Sequence, residues 1–230
     1  DPSIEVRDTV VAIGEHLVAN VSQVDGVGWT SSRWSRSLNG LGHGRAGIAL
    51  ALVEAGVRFD RPDFRTLAIE AMRVEHAMHS TEGAGGWPDL RPCGPDDPIP
   101  APSGFDAWCA GADGIALARA AVLRHLDEPF LREDLDRALA RITGGTIFSG
   151  RHHLCCGAAG RIETLRMLGR LLGRPELREQ ARHLASRATA PAWPERVESG
   201  VSLLQGYPGQ AWMHLALSMD EPTSVLLLEA

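Results

Sequence analysis

A four-residue phrase, Gly-x-x-Gly leading into an Ala/Leu-rich run, occurs four times and limits what this chain can fold into. The copies begin at Gly44, Gly111, Gly157 and Gly206 and end at Gly47, Gly114, Gly160 and Gly209. Their first glycines stand 67, 46 and 49 residues apart, a period near 46–49 with one insertion at 81–104. Recurrence on this scale marks stacked helical hairpins, in a solenoid or a closed α/α toroid.

The intervening sequence fits that plan. Residues 3–20 predict an amphipathic helix through Ile4, Val10, Ile13 and Leu17, with Ser3 as its cap, and 21–42 predict a loop. Arg45 to Glu54 predicts an apolar helix ended by Gly56, followed by a more polar one over 63–79. Further helices are predicted at about 112–126, 130–142, 158–172, 175–190 and 210–218, with an apolar segment at 224–228. Apolar and charged helices alternate, so the apolar ones belong inside. Residues 81–104, rich in Gly, Pro and Asp, predict a long irregular loop of the functional or mobile kind. No alternating strand pattern occurs, and the fold class is all-α.

The places before each first glycine carry the chemistry. His43, Ala110, Cys156 and Gln205 stand one place before it; Gly42, Cys109, Cys155 and Leu204 stand two places before it. Equivalent turns bring Cys109, Cys155 and Cys156 together at one end of the array. Three thiolates plus an open position suit Zn²⁺, and helix N-termini favour the deprotonated sulfur. Taken alone, the same cysteines serve equally well as small buried apolar residues. His43, an imidazole in the same frame, is a candidate general acid/base. His152 and His153 are alternative ligands or supports. Trp108 is a pocket wall or core, and Arg161 binds an anion or pairs with Glu163. Cys93 lies outside the frame.

The remaining properties exclude other classes. A net charge of −6 and pI near 5.8 argue against nucleic acid or an anionic membrane surface. No run reaches the roughly 18 apolar residues of a membrane span, and no signal-peptide pattern opens the chain. Four cysteines in such a chain of 230 residues suit metal or reactive-thiol roles in a bacterial cytoplasm better than a disulfide framework.

Together, Trp108-Cys109-Ala110-Gly111, Leu154-Cys155-Cys156-Gly157 and the upstream His43-Gly44 resemble the signature of the lanthionine synthetase C-like cyclases. The ending from Leu204 to Gly209 and from Pro222 to Glu229 resembles that family's C-terminus. Most members carry Cys-His-Gly where this chain has Cys156. The Cys-Cys-Gly version resembles the cyclase domains of some bifunctional class II lanthipeptide synthetases. The resemblance implies an α/α toroid of seven hairpins, of which 1–230 supplies about four, as the C-terminal part of the domain. It also implies zinc on Cys109, Cys155 and Cys156 and His43 as proton donor; from their own positions Trp108 and Arg161 are expected at the substrate. The implied reaction adds a cysteine thiol to dehydroalanine or dehydrobutyrine of a dehydrated precursor peptide, forming a thioether ring. An N-terminal dehydratase domain is the partner implied for the full-length protein, and the family's upstream catalytic Asp falls before Asp1. Alternatives are addition of glutathione to dehydroamino acids and a non-catalytic, zinc-holding or peptide-binding toroid.

Overall fold

The computed structural model describes residues 4–144, 152–188, 200–219 and 222–227. Ser3, residues 189–190 of the helix predicted to 190, and Leu228 lie outside them. Eight helices carry the described residues: α1 (Ile4–Ala19), α2 (Arg45–Arg58), α3 (Pro62–Ala77), α4 (Ala112–Val122), α5 (Pro129–Gly144), α6 (Ala158–Leu171), α7 (Pro175–Ala188) and α8 (Tyr207–Ser218). No strand occurs among them. Two isolated antiparallel bridges, Ser22 with Gly28 and Ser80 with Gly86, pinch off small loops.

Consecutive pairs α2–α3, α4–α5 and α6–α7 pack as hairpins, while α2, α4, α6 and α8 pack side by side in that order. The glycine-headed helices form the inner layer. Every residue of α4 is buried, which an Ala/Leu helix without a polar face requires. By contrast, α7 buries only Leu177, Ala181 and Ala185, a single stripe at helical spacing. The helix α1 rests on α2 and α3 through Val10 and Leu17 but leaves Ile4, Val6 and Ile13 exposed.

Some helix ends differ from the sequence reading. The helix α2 runs through Gly56 to Arg58, because that glycine makes room for a neighbour and does not end the helix. A Cβ there would lie 2.7 Å from Arg65 Cγ and 2.9 Å from the Arg61 carbonyl. Gly169 in α6 makes the same space for Arg178 and Arg174. The helix α4 stops at Val122, where tight bonds from Arg124 and His125 to Ala121 and Val122 wind the chain into a turn. The helix α8 begins at Tyr207, with Pro208 in its first turn, where a missing N–H costs nothing.

The recurring phrase has one physical cause. A Cβ on Gly47, Gly114, Gly160 or Gly209 would fall 2.0–2.1 Å from the carbonyl oxygen six residues upstream: Leu41, Trp108, Leu154 and Leu203 respectively. Each second glycine thus lets its preceding turn fold down onto the first turn of the inner helix. That closure fixes the residues between, among them His43, Cys109, Cys155 and Cys156.

Buried charges hold the layers in register. Arg119 of α4, fully buried, reaches Glu75 of α3 at 2.9 Å and Asp134 of α5 at 3.0 Å. Glu75 also accepts the backbone N–H of Gly40 at 2.8 Å, tying the His43 turn to the outer layer. Arg45 anchors the 21–42 loop through the carbonyls of Val27, Ser37 and Asp25. Paired in this way, such groups define one arrangement more than they add stability.

Candidate metal centre

The turns preceding α2, α4 and α6 meet at one end of the inner layer. Gly40, at φ +89°, adopts a left-handed conformation, and a Cβ there would strike Ala110 Cα at 2.5 Å. A Cβ on Gly42 would sit 2.9 Å from Cys109 Cβ. The His43 turn therefore lies directly against the Cys109 turn. On the other side, the Cys155 N–H donates to the Leu204 carbonyl at 2.8 Å, joining the third turn to the fourth.

Cys109, Cys155 and Cys156 bring their sulfurs within 4.8 Å of one another. Cys109 and Cys155 are buried and Cys156 is partly open, and none of the three is in a disulfide. Hydrogen bonding among the thiols splits their acidities. Cys155 pulls Cys109 down, but Cys156 and burial outweigh it and push Cys109 up to about 11. Bonds to Cys109 and Cys156, with burial, push Cys155 well above an ordinary thiol. Cys156 is held far below one by its bonds to Cys109 and Cys155, with His153 adding to the effect. Cys156 is the least buried of the three, so the cluster opens toward solvent on its side. A soft cation that takes thiolates displaces the shared protons, so the donor set fits zinc, with the open side at Cys156.

His153 lies against Cys156: its Nδ1 accepts the Cys156 backbone N–H at 3.3 Å, and both ring nitrogens lie 3.9 Å from the sulfur. His43 is exposed, its ring 5.1 Å from that of Trp34. Partial desolvation, then the charges of Arg91 and Arg33, lower its pKa below 6.5 and keep the imidazole neutral at neutral pH.

One residue at this site escaped the sequence reading. Arg91, from the 81–104 loop, points Nη1 at Cys109 Sγ from 3.9 Å. It lies outside the repeat frame, and nothing in its local sequence marks it. The loop itself is irregular, as predicted, but anchored. Trp87 and Leu90 are buried in it, the Trp87 indole N–H donates to the Glu75 carbonyl at 3.0 Å, and Asn39 Nδ2 donates to the Pro88 carbonyl at 3.2 Å.

Two residues expected near substrate are used internally. Arg161, 3% exposed, spends its guanidinium on Asp113 and on the carbonyls of Ile142 and Asp106. A cation in the core is held by pairing with what surrounds it. Glu163 pairs with Arg166 at 2.7 Å. Trp108 is buried, and its indole N–H donates to the Leu226 carbonyl at 3.1 Å, holding the C-terminal segment over the inner helices. Ser224 adds a bond to Glu163 at 3.2 Å. Trp108→Phe keeps the ring but leaves Leu226 unpaired. The expected loss is about 1–3 kcal/mol, read as a lower midpoint in chemical denaturation.

An all-helical array with a histidine turn packed on a three-cysteine cluster defines a class, and the chain belongs to it. A family model described as lanthionine synthetase C-like protein matches residues 3–228. Among solved structures the chain is similar to nisin cyclase, with a TM-score of 0.73 and 19% sequence identity. The match covers 95% of this chain and 60% of that one, so the chain spans about three-fifths of nisin cyclase. At that identity the likeness is one of fold, and the hairpins described above are part of that helical toroid. Comparison with curated protein sequences finds no match.

Proposed function

We propose that this chain is the C-terminal part of a zinc-dependent cyclase. It adds a cysteine thiol of a dehydrated precursor peptide to dehydroalanine or dehydrobutyrine, making a lanthionine or methyllanthionine ring. The observation that carries this reading is the gathering of three thiols within 4.8 Å beside the turn of His43. Cys109, Cys155 and Cys156 would hold zinc, and the bound ion would supply the Lewis acidity that keeps a thiol deprotonated at neutral pH.

The protein's own groups manage the proton. His43 starts neutral and takes the proton of the entering thiol. The sulfur bonds to the β-carbon, and the double-bond electrons move onto the α-carbon and its carbonyl. His43 then returns the proton to the α-carbon, so the addition is net neutral and the peptide mass is unchanged. No helix among the described residues is long and apolar enough to cross a membrane.

The test follows free thiol in a dehydrated, cysteine-bearing peptide incubated with the zinc-loaded protein. The expected result is thiol loss at constant mass. A mass gain equal to glutathione, when that thiol is supplied, favours the glutathione-adding alternative. His43→Ala is expected to slow ring closure on the order of 100-fold while zinc content stays the same. An unchanged rate removes His43 from the mechanism.

A further inference from the structure

We propose that Arg91 is the fixed positive charge that balances the three-sulfur set and so determines how tightly the site holds its metal. The inference rests on the metal reading above and concerns a residue outside the repeat frame. Three thiolates against a divalent cation leave one surplus negative charge. Two of the three cysteines are buried, where water does little to disperse it. A guanidinium is the side chain best suited to offset that charge, because it never loses its proton and is weakly hydrated.

The geometry at Arg91 is built for this. Its Nε and Nη2 are gripped by the two oxygens of Asp89 at 2.8 and 2.7 Å, and the remaining nitrogen, Nη1, faces Cys109 Sγ at 3.9 Å. The guanidinium also lies over the Phe105 ring, 5.1 Å from its centre. Asp89 and Phe105 thus fix the direction of the positive end while the carboxylate occupies the opposite edge. The side chain is 28% exposed, so its field at the sulfur is only partly screened. A second consequence follows from the same position. The cluster can accept one more anionic sulfur with less repulsion than three unbalanced thiolates would impose.

The experiment compares zinc affinity, by competition with a coloured chelator, in the wild-type protein and in R91M and R91K. R91M keeps the packing over Phe105 but not the charge. Outer partners of metal ligands typically change affinity about 10–100-fold, and R91M is expected to bind more weakly by that factor, with R91K between it and wild type. In cobalt-substituted protein, loss of the charge is expected to move the thiolate-to-metal absorption to lower energy, since the sulfur electrons are less stabilised. A merely structural role for Arg91 would leave that band in place. Should R91M lack the wild-type circular dichroism spectrum, R91Q supplies the neutral comparison. Equal affinities and identical cobalt spectra in wild type and the neutral variant overturn the proposal. A wild-type protein that takes up no zinc overturns the metal reading itself, and the two failures are thereby told apart.

Discussion

Cys156→Ala is expected to empty the metal site. Zinc, measured by emission spectrometry on purified protein, should fall from about one ion per chain to a small fraction, and thioether formation should fall with it. Cys156 is one of three sulfurs that lie within 4.8 Å of one another, and the one on the open side. Its removal leaves two buried sulfurs, Cys109 and Cys155, one short of the three protein ligands an open zinc site needs. Loss of an outer partner alone weakens metal sites about 10–100-fold, and loss of a ligand is expected to exceed that range. Cys156→His restores the Cys-His-Gly spelling that most members of the family carry and is expected to recover binding. If Cys156→Ala keeps full zinc occupancy at micromolar protein, the three-thiol site is wrong.

Gly160→Ala is expected to damage fold and site together. The added methyl would lie 2.1 Å from the Leu154 carbonyl oxygen, a backbone atom that cannot swing aside. Relief requires lifting the turn that carries Cys155 and Cys156, and with it the bond from Cys155 N–H to Leu204. Overpacking of this kind costs about 1–3 kcal/mol, and contact with backbone places this case at or above the upper end. Gly47→Ala meets the same obstacle, 2.0 Å from the Leu41 carbonyl, in a turn that holds no thiol. It should lose comparable stability in denaturant titrations yet keep more of its zinc. Equal zinc loss in both variants would contradict the local role assigned to the Gly160 turn.

Much of this was legible before any coordinates. The glycine phrase and the alternation of apolar with charged runs locate the inner and outer layers. Hydrophobic periodicity is a local property, and burial answers to it directly. The shared frame of Cys109, Cys155 and Cys156 was equally readable, because equivalent repeats place equivalent positions together. Gly56 misled, since a glycine that ends a helix and one that admits a neighbour look alike in sequence. Arg161 carries a related ambiguity. A cation at the head of a helix has the same spelling whether it faces a ligand or the buried carboxylate of Asp113, 48 residues earlier.

What the sequence by itself determined is therefore the repeat: eight helices in order, two layers, and three thiols in register. Only the tertiary structure decided what surrounds those thiols. Arg91 reaches Cys109 because an irregular loop is pinned by the burial of Trp87 and Leu90 and by the bond between Asn39 and Pro88. Trp108 is taken up by the returning C-terminal segment through Leu226. Such contacts join residues tens of positions apart with no period to announce them. They exist because a loop and a tail fold back onto the packed helices, and the chain must be closed before they can form.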